Sequence, residues 1–150
     1  MQKKISQLYC FVNEYNYLEL SNLPKNIQII YRNYKKNSDI STLISLKKFC
    51  KKNNKKLFIS NNVKLALKYK LTGIYIPSFN KHLNYIKYSF PKNFKIIGSA
   101  HNLKEISIKQ KQGCEFIFVS PIFKIKKTNF FHNIIKLNLM ILQKKVILLL

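Results

Sequence analysis

Short apolar runs alternate along this chain with stretches of helical periodicity, and that alternation limits the folds open to it. Runs at 5–12, 27–31, 57–59, 73–76, 94–97, 116–119 and 146–150 each suit a strand. Between them, apolar residues recur three and four apart, the spacing of one helix face. A helix from Asp39 or Ser41 carries Leu43, Ile44, Phe49 and Cys50 on such a stripe. One from Asn61 or Asn62 turns Val63, Ala66 and Leu67 inward. Residues 80–88 form a short third helix, and 132–143 another with Ile134, Ile135, Leu137, Leu139 and Leu142 as its apolar positions. The order strand, helix, strand predicts a parallel sheet with covering helices.

Residues 94–124 state this pattern most clearly. The run 94–97 reads as a strand stopped by Gly98. Asn102 then caps a helix, with Glu105 three residues on, as in a capping box. Leu103 and Ile106 face inward, and Gly113 ends the helix. Residues 116–119 are apolar on both faces, as a strand buried in a parallel sheet should be, and Ser120-Pro121 breaks them. Such a unit implies a right-handed crossover and a site at the carboxyl ends of its strands.

The chain has 150 residues and 47% apolar side chains, enough for one domain with a real core. No apolar run approaches the roughly 18 residues of a membrane span. Ser6 and Gln7 interrupt the N-terminal run, which suits a first strand better than a signal peptide. Cys10, Cys50 and Cys114 show neither metal spacing nor a disulfide framework, and they read as reduced cytoplasmic thiols.

The formal charge is +23, which by itself points to nucleic acid or another anionic partner. Two features make nucleic acid the minority reading. Arg32 is the one arginine among 28 basic residues, whereas base-reading surfaces use arginine freely. The lysines are also scattered in pairs such as Lys35-Lys36 and Lys51-Lys52, amid abundant Asn and Ile. That is the signature of an A/T-rich coding sequence. Small phosphate-bearing ligands fit the charge better, and nothing in the sequence sets an oligomeric state.

Seven strand signals predict an α/β fold of the (β/α)₈ TIM-barrel type, incomplete, lacking the last strand and helices. A full barrel takes about 200 residues or more. An open doubly wound sheet is the rival.

Four segments resemble the thiamine phosphate synthase family with its TenI-like relatives, over about residues 5–128. They are IQIIYRN, LFISNNVKLALKYKLTGIYIPSFN, KIIGSAHN and GCEFIFVSPIFK. The resemblance implies transfer of a pyrimidine unit from hydroxymethylpyrimidine pyrophosphate to thiazole phosphate, releasing pyrophosphate. That chemistry needs cations on the leaving oxygens and Mg²⁺ bridging them. The implied ligands of the phosphorylated substrates are Arg32, Ser99, His101, Ser120, Lys126 and Lys127. Asn61 and Asn80 stand at the family's two magnesium carboxylates, Ser60 at its strand-three asparagine, and Tyr75 at its strand-four histidine. Each has a plainer reading: Asn61, Asn62 and Asn80 suit helix caps, and Ser99, His101 and Ser120 suit turns. With the carboxylates replaced, the expectations are a magnesium-poor transferase or a non-catalytic relative that binds a phosphorylated ligand. The ending in VILLL, where the family's Gly-rich phosphate loops would follow, suggests a truncated barrel, from a frameshift or early stop.

Overall fold

The computed structural model describes residues 8–34, 39–119 and 145–148, the last as backbone only. Two compact units divide the chain, Met1–Ile74 and Tyr75–Leu150. The first holds β1 (Leu8–Val12), α1 (Tyr17–Ser21), β2 (Ile27–Tyr31), α2 (Ile40–Lys52), β3 (Leu57–Ser60) and α3 (Val63–Lys68). The second holds β5 (Lys95–Ala100), α4 (Leu103–Lys111), β6 (Phe116–Val119) and β7 (Lys145–Leu148), with a 3-10 turn at Asn84–Lys87. The strand between, β4 (Gly73–Ile76), crosses the division.

Every recorded strand pair within a unit is parallel, and neighbours follow chain order. Leu8 lies opposite Ile27 and Ile29 opposite Leu57 in the first unit. In the second, Ile97 lies opposite Phe116 and Phe116 opposite Lys145. Parallel strands buried on both faces need continuous apolar runs. Strand β2 supplies one: Ile29 and Ile30 are wholly buried, as are Leu46 of α2 and Ala66 of α3. Burying a side chain of Leu or Ile size contributes about 1.5–3 kcal/mol.

One device ends three of the helices. Asn54, Lys70 and Gly113 take left-handed backbone, with φ of 51°, 48° and 82°. Each lets the next N–H reach back into the last turn: Lys55 to the Cys50 carbonyl at 2.9 Å, Leu71 to Ala66 at 2.9 Å and Cys114 to Lys109 at 3.0 Å. These helix exits lead into β3, β4 and β6.

Five details depart from the sequence reading. The helix expected over 80–88 is a single 3-10 turn at Asn84–Lys87. Gly98 does not stop β5, because Gly98, Ser99 and Ala100 pair with Ile117, Phe118 and Val119 of β6. Ile44 is at the surface of α2, and Leu46 takes its place beside Leu43 and Phe49. Leu103 is exposed on α4, while Ile106 and, unexpectedly, Lys109 face inward. The helix α1, capped by the Asn16 side chain, has five residues and buries Leu20, too short for a periodic stripe to register. The predicted helix at 132–143 lies outside the described residues.

Candidate functional site

In the first unit the polar groups gather where β1, β2 and β3 end. Arg32 follows β2 directly, and its N–H donates to the Val12 carbonyl at 2.8 Å, so the strand ladder fixes its Cα. Its guanidinium lies over the Phe11 ring, 5.0 Å from the centroid, a cation–π contact that holds a long side chain in one place. Arg32 borders an open cleft of about 930 Å³ with Asn13, Glu14, Tyr34, Asp39 and Thr42. Asp39 caps α2: its carboxylate accepts from the Thr42 hydroxyl at 2.6 Å, the Ser41 hydroxyl at 2.7 Å and the Ser41 N–H at 3.0 Å. The Thr42 and Ser41 hydroxyls hold its pKa down at about 2. The carboxylate is therefore committed to the helix, and Arg32 supplies the cleft with a cation.

At the end of β3, Ser60 is buried, and among the described residues its Oγ is the buried side-chain polar atom with no hydrogen-bond partner. Native proteins rarely leave such a group unpaired, and those they leave tend to serve a ligand or strain. Asn61 follows in left-handed backbone, φ 58°, which asparagine tolerates best after glycine. Asn62 caps α3, its side chain accepting from the Leu65 N–H at 2.9 Å. Gln28, two residues before Ile30, turns instead to the β3 side, accepting from the Lys56 N–H.

In the second unit, β4 and β5 bring two hydroxyls together. The Tyr75 hydroxyl donates to Ser99 Oγ at 2.8 Å, and its ring lies 6.2 Å from that of Phe118. His101 is exposed, and its N–H donates to the Glu105 carboxylate at 2.7 Å. Asn102 accepts from the Glu105 N–H at 3.0 Å, so the capping box is present but reaches one residue further back than expected. Asn80 shapes the loop after β4: its Oδ1 accepts from the His82 N–H at 3.0 Å and its Nδ2 donates to the Tyr85 hydroxyl at 2.7 Å. Ser120, Lys126 and Lys127 lie outside the described residues.

The donor set does not suit magnesium, which selects hard, preferably charged oxygens. Asn61 and Asn80 offer neutral amides, and that of Asn80 already organises a turn. Of the five carboxylates, Glu14 lines the Arg32 cleft in the first unit and the other four have structural partners. Glu19 accepts from Asn16, Asp39 and Glu105 serve helix starts, and Glu115 pairs with Lys95 at 2.6 Å beside the starts of β5 and β6. Among the described residues no three His, Cys, Asp or Glu side chains converge.

Sequence reasoning missed Lys109 and Gln112, two wholly buried polar side chains of the second unit. The available signal was Gly98, since a glycine inside an apolar strand marks something passing close to the backbone.

These features define a class: a parallel α/β protein with its polar groups at strand ends. The thiamine phosphate pyrophosphorylase of Pyrococcus furiosus shares the fold, with a TM-score of 0.67 at 15% identity over 95% of this chain and 74% of that one. The fold is thus of the (β/α)₈ barrel type, in incomplete form. The sequence profile of the thiamine monophosphate synthase family matches residues 20–135, and the chain belongs to that family. A thiamine-phosphate synthase of Prochlorococcus marinus subsp. pastoris is 30% identical over 101 residues, covering 65% of this chain and 28% of the relative. A second, from another Prochlorococcus marinus strain, is 28% identical over 106 residues, covering 68% and 30%. The chain therefore spans under a third of the length of these relatives. Among the described residues no helix is long and apolar enough to cross a membrane.

Proposed function

We propose that this chain serves thiamine biosynthesis as a binder of the pyrophosphate-bearing pyrimidine substrate, and that it binds without magnesium. The observation that carries the reading is Arg32, set by the β1–β2 ladder and by Phe11 at the mouth of an open cleft. A guanidinium presents paired donors that match phosphate oxygens and stays charged at any working pH. The orphan Ser60 hydroxyl in the same unit supports it, since a buried donor without a partner is suited to a polar ligand atom. In the reaction that the family resemblance implies, thiazole phosphate would displace pyrophosphate from such a substrate. With neutral amides at Asn61 and Asn80, little compensates the leaving charge, so coupling is expected to be slow or absent.

Calorimetric titration with inorganic pyrophosphate in EDTA tests this. Binding is expected in the wild type, unchanged by added magnesium, and weakened about 10- to 100-fold in Arg32→Ala, the worth of one charge-assisted hydrogen bond. No binding in EDTA with tight binding in magnesium would sink the metal-free reading. A parallel assay of thiamine phosphate formation decides between a slow synthase and a pure binder.

A further inference from the structure

Lys109 projects from α4 under β5, and Gly98 makes its passage possible. A Cβ at Gly98 would stand 2.9 Å from both Lys109 Cδ and Cys114 Sγ, and 3.3 Å from the Ile76 carbonyl oxygen. Lys109 is wholly buried, 0% exposed, and Gln112 one turn on is 1% exposed. Both side chains run to the same place. The Lys109 ammonium donates to the Asn80 carbonyl at 2.6 Å and to Gln112 Oε1 at 2.9 Å. Gln112 Nε2 donates to the Asn80 carbonyl at 2.9 Å and to the His82 carbonyl at 2.8 Å. A buried ammonium is costly to hold, and it persists only where such acceptors converge on it.

We propose that Lys109 is a positioning residue: an internal cation that clamps the main chain of Asn80 and, through Gln112, that of His82, and so orders the loop after β4 without a metal ion. Asn80, the loop position at which the family resemblance sets a metal-binding carboxylate, has its carbonyl held by the protein's own ammonium. Its charge sits one hydrogen bond from the Asn80 carbonyl, so a divalent cation at that residue would be repelled rather than recruited. The loop's inner hydrogen bonds, from the His82 N–H to Asn80 and from Asn80 to Tyr85, rest on this anchor.

Hydrogen exchange of the full chain at pH 7 tests the proposal without any ligand. In the wild type, amides 78–88 are expected to exchange at the same slow rate in EDTA and in magnesium. Lys109→Met keeps the stem and removes the charge. It should speed that loop about tenfold or more, the worth of a lost charged hydrogen bond, and leave α2 in the other unit unchanged. Lys109→Arg, which keeps cationic donors, should exchange more slowly than Lys109→Met. Equal rates for the two variants would reduce Lys109 to a packing residue and overturn the proposal. A wild-type loop that becomes slow only with magnesium would also overturn it. If Lys109→Met does not fold, Gln112→Leu reads the same loop, and unchanged exchange there counts against the clamp.

Discussion

At the scale of single residues, Ser60 and Gly98 carry opposite instructions. Ser60 Oγ is buried without a partner, so Ser60→Ala removes an unpaid desolvation and should leave stability unchanged or slightly raised. If the hydroxyl serves a ligand, the same variant should bind pyrophosphate or its pyrimidine ester more weakly. Thermal melting beside calorimetry checks both, and a lower melting temperature with unchanged binding would assign Ser60 to packing. Gly98→Ala forces a methyl against Lys109 Cδ and Cys114 Sγ at 2.9 Å. A cost of about 1–3 kcal/mol is expected in urea unfolding, typical of overpacking. Arg32 was legible in the sequence as the one arginine, placed just past an apolar run. Lys109 was hidden for the same compositional reason: among 27 lysines, a buried one looks like the others. Tyr75 and Ser99, 24 positions apart, meet only because β4 and β5 set them so, and no spacing rule reveals that hydroxyl pair.

At the scale of elements, the helices rest on their ends. Asn102→Ala removes the side-chain acceptor from the start of α4 and should cost about 1 kcal/mol, read by chemical denaturation. Asp39 at the start of α2 adds a pH dependence. Its pKa lies at about 2, below the ordinary 3.8, so its contribution is complete above the ordinary value and is lost as pH falls through about 2. Asp39→Asn should flatten that acid limb. The elements themselves were largely legible, because apolar runs and Asn or Asp caps are local signals. Their faces were less so. Ile44 and Leu103 occupy apolar positions that the packing leaves at the surface, and Leu46 replaces the first of them. A stripe on a short helix fixes its apolar side only to within about one residue, and the neighbouring strand decides.

At the scale of the whole molecule, charge sets the background. Lysine self-repulsion from a formal +23 opposes the compact state, so added salt should raise the unfolding midpoint. Burial holds the Lys109 pKa at about 8, against the raising influence of Cys114 and Glu105 and with a small lowering from Lys81. Between about pH 8 and the ordinary value of 10.5, the unfolded chain keeps a proton that the folded chain has released. Stability should therefore rise with pH across that window, and less so in Lys109→Met, as urea midpoints would show. The chain-order pairing of strands has a consequence for how the protein is made. Within each unit, a strand's partner is the strand synthesised just before it. Loop-closure cost grows with the chain between partners, and here one helix separates most of them. The first unit can thus assemble strand by strand as it leaves the ribosome, each newcomer adding to an edge already in place.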